Sequence, residues 1–509
     1  MKGKVWLIGA GPGDLGLFTI KGREILQQAE VVVYDRLVGE SILNLIPREA
    51  ECIDVGKRAR NHTVPQEQIN QILLKKAQQG KRVVRLKGGD PFLFGRGGEE
   101  LELLAEKEIP FEIVPGVTSA FAVPAYNGIP VTHRHFASSV HVITGHKKKD
   151  QPLQLDYEAL VRLGGTLVFL MGGAAIQIIC EGLLAAGMRS DMPAAVLQQG
   201  TCAAQKKIIS DIKNLPIKIT KQELQTPAIF MVGEVCRLGN EFAWYEKMPL
   251  FGEKILVTRP KERSGTISCK LRSLGAEVLE LPAIRTELIA GNKRLEEVFA
   301  RLFHYDYLVF TSPAGVKLFF EELKDQKRDI RSIGTARIAA IGMGTKKELE
   351  ARGLICELMP EIYDGEHLGI LLGETCKAGE RILIPRAEQG SAQIIAEIEK
   401  RVQVEITDLP IYRTIYEKPS ELVDEKKQIE QGKIHMAVFT SASTVRGFAK
   451  ATQGLNYETV QAVCIGRQTQ EAAKELGMKT IVSQKATIDS LVEACVKAAQ
   501  QECKKDEKS

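Results

Sequence analysis

The chain has 509 residues, of which 44% are hydrophobic and 26% are charged. This is the composition of folded globular proteins, and it excludes a chain that is disordered throughout. At about 150 residues per domain, the length predicts three or four folded units. The 69 basic and 64 acidic residues nearly balance, which argues against a protein that binds nucleic acid through a strongly basic surface.

Short β-branched runs alternate with helical patterns, which predicts α/β domains with mainly parallel sheets. Helices are predicted at 66–79 and 99–107, among others. The strands predicted in the first half are 5–9, 31–34, 83–87, 111–114, 139–144, 166–170, 194–197 and 229–232. Pro249 interrupts the alternation and a new strand is predicted at 254–258, so we place a linker at 246–252.

The sequence predicts a soluble, cytoplasmic protein. The apolar amino-terminal stretch is broken by Gly-Pro-Gly-Asp and does not fit a secretion signal. Residues 167–188 contain Gln177, Glu181 and four glycines, so a strand, a turn and a helix are predicted there rather than a membrane span. The ten cysteines form no CxxC pair, which indicates reduced thiols and no zinc ribbon.

The second half of the sequence repeats itself. Four segments return in the same order: GEKILVTRP (252–260) as GERILIPRA (379–387), LPAIRT (281–286) as LPIYRT (409–414), VFTSPAGVKLF (309–319) as VFTSASTVRGF (438–448), and AAIGMGTKKELEARG (339–353) as AVCIGRQTQEAAKELG (462–477). This pattern predicts two related α/β units within 252–500. Their Ser/Thr/Gly turns would follow strands, at the edge where open α/β sheets bind ligands.

The first candidate ligand loop is GAGPGD at 9–14, directly after a predicted strand. A dinucleotide fingerprint requires GxGxxG, but Asp14 replaces the third glycine and Pro12 removes a backbone donor. A nucleotide-dependent oxidoreductase therefore remains an alternative that rests on this turn alone. An unliganded turn between strand and helix is the other alternative.

Two further loops follow predicted strands. The first, RLKGGDPFLFGRGGEE at 85–100, is rich in glycine without being a P-loop, because it lacks GxxxxGK[ST]. Such a loop indicates that backbone must approach another group closely or adopt positive φ. PGVTSA at 115–120 follows the next strand and would lie beside it. Backbone groups from these loops suit an adenosine and an amino-acid moiety better than a triphosphate.

A series of motifs in residues 1–245 resembles the uroporphyrinogen-III C-methyltransferase family. They are GAGPGD, YDRLV (34–38), VGKR (55–58), VPQEQIN (64–70), VVRLKGGDPFLFGRGGEE, VPGVTSA, GIPVTHR (128–134), TGH (144–146) and PAAVLQQGT (193–201). The resemblance implies a two-lobed tetrapyrrole methylase fold, usually dimeric, without a metal. It implies two methyl transfers from S-adenosylmethionine to uroporphyrinogen III, which yield precorrin-2, an intermediate towards sirohaem or cobalamin, and release S-adenosylhomocysteine.

The same resemblance assigns roles to individual residues. Asp35 matches the family's proposed proton acceptor and Lys57 its proposed proton donor. A carboxylate suits the first role, since the methylated ring system must lose a proton. The implied cofactor contacts are Pro12, Gly88, Gly89, Asp90, Leu93, Thr118, Ser119, Met171 and Gly200.

The substrate of this family carries eight carboxylates, so cationic side chains near the loops are candidates to bind it. These candidates are Arg36, Arg58, Arg60, Arg96, Arg134 and the run 146–149. For Lys147 to Lys149 a solvated surface is the favoured interpretation. Four histidines at 133, 135, 141 and 146 lie in the same region without an HExxH pattern, and we predict no metal site.

The paired VFTS and IGxxT turns, the LPxYRT segment and the duplicated units resemble uroporphyrinogen-III synthase over about 252–500. The resemblance implies one lobe from 253–284 and 415–500, an inserted lobe at 286–412, and a tail at 501–509. It also implies that hydroxymethylbilane is cyclised to uroporphyrinogen III, with inversion of one ring and loss of water, without a cofactor.

Tyr412 matches the tyrosine of that family thought to assist departure of the hydroxyl group, and a phenol can donate a proton there. The first repeat has Ile284 at the equivalent position, which favours a function for Tyr412 over a structural role. A half-buried structural tyrosine remains the alternative. Candidates to bind substrate carboxylates are Thr311, Ser312, Thr345, Thr440, Ser441, Ser443 and Thr469, with turn capping as their alternative role.

We therefore expect a bifunctional enzyme whose second half makes the substrate of the first. Its partners would be tetrapyrrole substrates and a second copy of the chain, bound through the methyltransferase half, with no nucleic acid and no membrane. The alternative is an active methyltransferase fused to a non-catalytic bilane-binding sensor.

Overall fold

The computed structural model describes residues 2–56, 64–145, 154–222, 224–258, 261–281, 283–390, 392–416 and 423–506, without the side chains of 261–265, 423–424 and 502–506. The chain divides into two compact units. The first consists of Met1–Ile255 and Ser268–Glu280, and the second of Leu256–Ile267 and Leu281–Ser509.

The first sheet is formed by five parallel strands in the order β3-β2-β4-β1-β5. Its elements are β1 (Lys4–Gly9), α1 (Ile20–Leu26), β2 (Val31–Tyr34), α2 (Glu40–Leu43), β3 (Glu51–Asp54), α3 (Gln66–Gln78), β4 (Arg82–Lys87), α4 (Gly97–Glu106) and β5 (Phe111–Val114). Helices cover both faces of the sheet, so its central strands bury apolar side chains on both. Leu7 and Val83 pack in one buried cluster, whereas Ile8 and Val84 pack in the other.

The second sheet has the order β6-β7-β10-β8-β9. Its elements and helices are α5 (Ser119–Tyr126), β6 (Val140–Thr144), α6 (Tyr157–Leu163), β7 (Thr166–Leu170), α7 (Ile176–Ala185), β8 (Pro193–Gln198), β9 (Lys206–Asp211), α8 (Leu215–Gln222), β10 (Ala228–Val232) and α9 (Leu238–Glu241). Only β6 and β7 pair in parallel; β10 runs antiparallel to β7 and β8, and β9 antiparallel to β8. The prediction of mainly parallel sheets is therefore wrong here, because the short connection 199–205 between β8 and β9 leaves no room for a crossover helix.

The second half contains ten strands and ten helices among the described residues. The strands are β11 (Lys254–Val257), β12 (Glu277–Glu280), β13 (Ile284–Leu288), β14 (Tyr307–Phe310), β15 (Arg337–Ala340), β16 (Arg381–Ala387), β17 (Glu405–Tyr416), β18 (Met436–Phe439), β19 (Gln461–Cys464) and β20 (Lys479–Val482). The helices are α10 (Lys261–Ser273), α11 (Lys293–Ala300), α12 (Pro313–Asp325), α13 (Met343–Glu350), α14 (Gly365–Thr375), α15 (Gln393–Glu399), α16 (Val423–Glu430), α17 (Ala442–Ala451), α18 (Arg467–Lys474) and α19 (Ile488–Asp506).

The two sheets of this half share an arrangement, as the sequence repeat predicts. One has the order β12-β11-β18-β19-β20 and the other β13-β17-β16-β14-β15. The repeated segments supply β11, β18 and β19 in one and β16, β14 and β15 in the other, in the same neighbouring order. The second of these sheets is mixed rather than wholly parallel, because β13 pairs antiparallel with β17, from Ile284 opposite Tyr416 to Leu288 opposite Tyr412.

Within the described part of the chain, no helix combines the length and the apolar character needed to cross a bilayer.

Candidate functional site

Three loops meet at the carboxyl ends of β1, β4 and β5. The backbone N–H of Gly11 donates to the oxygen of Gly89 at 3.1 Å, and the N–H of Gly89 donates back at 2.8 Å. A Cβ atom on Gly116 would lie 2.2 Å from the Gly89 oxygen, and one on Gly9 would lie 2.5 Å from the Gly116 Cα. The loops therefore pack backbone against backbone, which explains why glycine occupies these positions.

Asp90 joins two of these loops. Its Oδ2 accepts a hydrogen bond from the N–H of Gly116 at 3.0 Å, and its Oδ1 accepts one from the N–H of Phe92 at 2.8 Å. Thr118 caps α5 by accepting from the N–H of Ala120, and Ser119 is the first residue of that helix. The predicted cofactor residues of the β4 and β5 loops are thus brought together.

The loops of the second sheet supply the other predicted cofactor residues. A Cβ on Gly200 would lie 2.4 Å from the Val123 Cγ1 of α5, so this glycine allows close packing of the β8 loop against the helix. Its neighbour Thr201 accepts a hydrogen bond from the N–H of Asp14 at 3.2 Å, which joins this loop to the β1 loop containing the partly buried Pro12. Leu93 packs against the buried cluster of the second sheet, and Met171, directly after β7, is 52% exposed.

Strained backbone is concentrated in these loops. Among the described residues, seven residues other than glycine have positive φ, and five of them follow strands of the two sheets: Phe94, Arg96, Met171, Gln199 and Thr201. Each such conformation costs on the order of 1–3 kcal/mol and persists only where the surrounding structure holds it. Their clustering supports a functional site at this edge.

Asp35, directly after β2, lies beside the same loops. Its Oδ1 accepts from the N–H of Leu37 at 3.2 Å, and its Oδ2 is 3.4 Å from the Nη2 of Arg85. A Cβ on Gly88 would lie 2.5 Å from the Leu37 Cβ, so the Asp35 turn packs against the β4 loop. The predicted proton donor Lys57 lies outside the described residues, as do Arg58, Arg60 and the run 146–149.

The sequence reasoning missed a buried charge network beside Asp35. The Glu100 carboxylate, 0% exposed, accepts through Oε1 from the Nε of Arg85 at 3.2 Å and from the Nζ of Lys87 at 2.7 Å. Burial lowers the pKa of the Lys87 ammonium, the charge of Arg85 adds to this effect, and Glu100 opposes it. Charged residues inside the apolar β4 run were an available signal, because buried charges are rarely left without partners.

The other cationic candidates of the first half lie at the surface. Arg36 and Arg134 are exposed. Arg96 pairs with Glu99, with 3.0 Å between Nε and Oε1, and this hydrogen bond raises the pKa of the guanidinium. No group of three or more His, Cys, Asp or Glu side chains is placed to hold a metal ion in the part of the chain that the structure describes.

In the second half, Tyr412 and Ser312 form a pair. Their hydroxyl groups are 2.7 Å apart, and the Ser312 Oγ also accepts from the N–H of Gly315 at 2.9 Å as the cap of α12. Tyr412 is 5% exposed and packs in a hydrophobic cluster. Ser312 and the preceding Thr311 are half-buried.

The remaining hydroxyl candidates divide into two kinds. Ser441 caps α17, with its Oγ 2.9 Å from that of Ser443, and Thr440 precedes it half-buried. Thr345 and Thr469 are buried in the first turns of α13 and α18. The capping that the sequence left open as an alternative is thus present at Ser312 and Ser441.

Two families match the chain in succession. The family described as Tetrapyrrole (Corrin/Porphyrin) Methylases matches residues 4–216, and the family described as Uroporphyrinogen-III synthase HemD matches residues 265–493. The chain is 47% identical over 96% of its length to a porphyrin biosynthesis protein HemD of Ruminiclostridium josui, of which 97% is covered. It is 41% identical over 70% of its length to a uroporphyrinogen-III C-methyltransferase of Bacillus subtilis, of which 74% is covered.

A solved structure is also similar to the first half. It is the uroporphyrin-III C-methyltransferase of Thermus thermophilus complexed with S-adenosylhomocysteine, at 37% identity and a TM-score of 0.41, covering 46% of this chain and 99% of that one.

The two family matches, on two successive α/β parts, define a tetrapyrrole methylase joined to a uroporphyrinogen-III synthase. The chain belongs to the family of porphyrin biosynthesis proteins in which these two parts form one polypeptide.

Proposed function

We propose that the chain carries out two consecutive steps of tetrapyrrole biosynthesis. The second half cyclises hydroxymethylbilane to uroporphyrinogen III, and the first half methylates that product twice with S-adenosylmethionine to give precorrin-2. The observation that carries the methyltransferase assignment is the backbone contact of the three glycine loops beside Asp35.

The loop geometry fits this cofactor. A Cβ on Gly89 would have the backbone nitrogen of Ser119, at 4.0 Å, as its nearest neighbour, so the side of the Gly89 Cα where a side chain would lie borders open space. This space would let an adenosine and an amino-acid moiety lie directly against the loop backbone. We assign this binding to Pro12, Gly88, Gly89, Asp90, Leu93, Thr118, Ser119, Met171 and Gly200.

Bound S-adenosylmethionine supplies a methyl group that is already electrophilic, so the protein must orient the substrate carbon and remove a proton. Asp35 would accept that proton, and the Nη2 of Arg85, 3.4 Å from its Oδ2, would help to orient the carboxylate. Lys57 is the proposed proton donor. Arg36, Arg96 and Arg134, with Arg58 and Arg60, would bind the carboxylates of the macrocycle.

In the second half, Tyr412 would assist departure of the bilane hydroxyl by donating a proton to the leaving oxygen, and its hydrogen bond with Ser312 would orient the phenol. The hydroxyl groups that we assign to carboxylate binding are Thr311, Ser312, Thr345, Thr440, Ser441, Ser443 and Thr469.

The decisive experiment supplies hydroxymethylbilane and S-adenosylmethionine to the purified full chain and identifies the product by mass spectrometry and isomer analysis. A type-III macrocycle with two added methyl groups is expected. Failure to methylate authentic uroporphyrinogen III would remove the methyltransferase assignment. Formation of the type-I isomer alone would contradict the synthase assignment and favour a non-catalytic, bilane-binding sensor as the role of the second half.

The proposal includes a homodimer formed through the methyltransferase half and action in the cytoplasm. Light scattering of the purified chain tests the first point, and a monomeric mass at working concentration would contradict it.

A further inference from the structure

The loop between β8 and β9 is held from several sides. Within it, the N–H of Thr201 donates to the Oε1 of Gln205 at 2.8 Å, and the Nε2 of Gln205 donates to the backbone oxygen of Tyr126 at 3.1 Å. The N–H of Ala203 donates to the Oε2 of Glu277 at 2.8 Å. This last contact comes from β12, which is distant in sequence.

Glu277 also belongs to an ion-pair chain. Its Oε1 is 2.8 Å from the Nζ of Lys254, and the same ammonium is 3.0 Å from the Oε2 of Glu40. The Lys254 side chain is 13% exposed. One largely buried cation therefore connects the carboxylate that holds the β8 loop with α2, which begins five residues after Asp35.

Two hydrogen bonds fix β12 against α2. The Ser41 Oγ donates to the backbone oxygen of Val278, and the Asn44 Nδ2 donates to that of Glu280, both at 2.9 Å. The strand that carries Glu277 is therefore held in position by α2, independently of its contact with the β8 loop. This strand lies within the residues that match the synthase family, although its contacts group Ser268–Glu280 with the first compact unit.

The β8 loop needs such support. Gln199 and Thr201 have φ of 44° and 69°. Residues other than glycine adopt this backbone region only when neighbouring contacts hold them there. Gly200, assigned above to cofactor binding, lies between these two residues. A change in the loop's support would therefore alter the cofactor site directly.

We propose that Glu277 is a positioning residue for the methyltransferase cofactor. It does not contact the cofactor; it fixes the Ala203 peptide, and the ion pair with Lys254 holds its carboxylate in place. A residue from the synthase-family segment would thereby complete the cofactor site of the methylase. This inference rests on the proposed function, since it requires S-adenosylmethionine at the β8 loop.

Full-length variants test the proposal by calorimetric titration with S-adenosylhomocysteine. Glu277→Ala should raise Kd roughly three- to tenfold, since a charge-assisted hydrogen bond is lost and only part of it is coupled to binding. Glu277→Gln should recover most of the affinity, because its amide oxygen can still accept from Ala203. Glu280→Gln is the matched control on the same strand, where the carboxylate pairs with Arg272 at 3.4 Å, and should leave Kd unchanged.

Steady-state kinetics separate positioning from general damage. In Glu277→Ala, the KM for S-adenosylmethionine should rise while kcat at saturation and the cyclisation of hydroxymethylbilane stay close to wild type. Should that variant fail to fold, Lys254→Met removes the counter-charge alone and should raise Kd about two- to threefold. Wild-type affinity in all folded variants would overturn the inference, whereas a wild-type chain that binds no S-adenosylhomocysteine would overturn the proposed function itself.

Discussion

Glu100 is the residue on which the buried charges beside Asp35 depend. Two cations, Arg85 and Lys87, share its Oε1 inside the first sheet. Because both cations are buried, the loss of this carboxylate would remove the 2.7 Å partner of Lys87 and leave Arg85 with the longer, 3.4 Å ion pair to Asp35. The network therefore connects the stability of the domain with the orientation of the Arg85 guanidinium that faces Asp35.

Substitution of Glu100 tests this dependence. Glu100→Gln should lower the free energy of unfolding by about 3–5 kcal/mol, the usual cost of breaking a buried ion pair. Urea unfolding followed by circular dichroism measures the change. The neighbouring Glu99→Gln, which removes an exposed partner of Arg96, should cost less than about 1 kcal/mol. Equal effects of the two substitutions would contradict the network's role.

Asp35 has a separate, chemical role in the proposal. Asp35→Ala should keep its affinity for S-adenosylhomocysteine and lose on the order of 10²- to 10⁴-fold in methyl-transfer rate, the range for a general base. Single-turnover assays with uroporphyrinogen III measure the rate, and titration measures the affinity. A normal rate would remove Asp35 from the mechanism.

At the scale of elements, the glycine loops predict a sharp contrast between two positions. Gly116→Ala would place its Cβ 2.2 Å from the Gly89 oxygen, so the loops must separate. We expect a loss of S-adenosylhomocysteine affinity of at least tenfold and destabilisation of about 1–3 kcal/mol, as for overpacking.

The control for this prediction is Gly98, in the first turn of α4. A Cβ there would meet no atom within 4 Å, so Gly98→Ala should bind normally and be stabilised by about 0.5–1 kcal/mol. Thermal unfolding and the same titration measure both variants. Normal binding by Gly116→Ala would show that the close packing of the loops is dispensable.

Most strands were predictable because they are apolar runs bounded by turns. The predicted bounds of β2, β5 and β7 agree with the structure. β3 and β9 were missed because ECID and KKIISD carry polar residues, as the outermost strands of their sheets can. The direction of the second sheet was also mispredicted, since apolar runs give no indication of which neighbour each strand will pair with.

The glycine loops of the candidate site were predictable from the sequence. The contacts of its buried or half-buried carboxylates with partners distant in sequence were not. Gly89 and Gly116 lie in glycine-rich motifs that indicate positive φ or a close backbone approach, and each glycine shows one of these, so the loops could be located from the sequence. Glu100 and Glu277 could not be, because their partners are brought to them by sheet order and by a strand distant in sequence. Lys57 is a prediction of family resemblance alone.

For the whole molecule, the net charge of +5 conceals how charge would act on the substrate. A macrocycle with eight carboxylates should be attracted by the arginines near the methyltransferase loops, and salt screens such attraction. The KM for uroporphyrinogen III should therefore rise several-fold between about 0.05 and about 0.5 M salt. Over this range the Debye length falls from above to below about 10 Å.

The KM for S-adenosylmethionine serves as the internal control, because its proposed contacts are mainly backbone groups. It should change by less than about twofold over the same salt range. Arg134→Ala and Arg36→Ala should each reduce the salt dependence for uroporphyrinogen III. Parallel changes in both KM values would point to a general salt effect on the enzyme.

The antiparallel pairing of β13 and β17 has a consequence for how the second half could have arisen. Ile284 and Tyr416 are paired neighbours. The segment between them therefore begins and ends at adjacent positions. A segment with adjacent ends can be inserted into, or removed from, a host without separating the host's flanking residues. Gene duplication followed by insertion of one copy into the other would produce this connectivity.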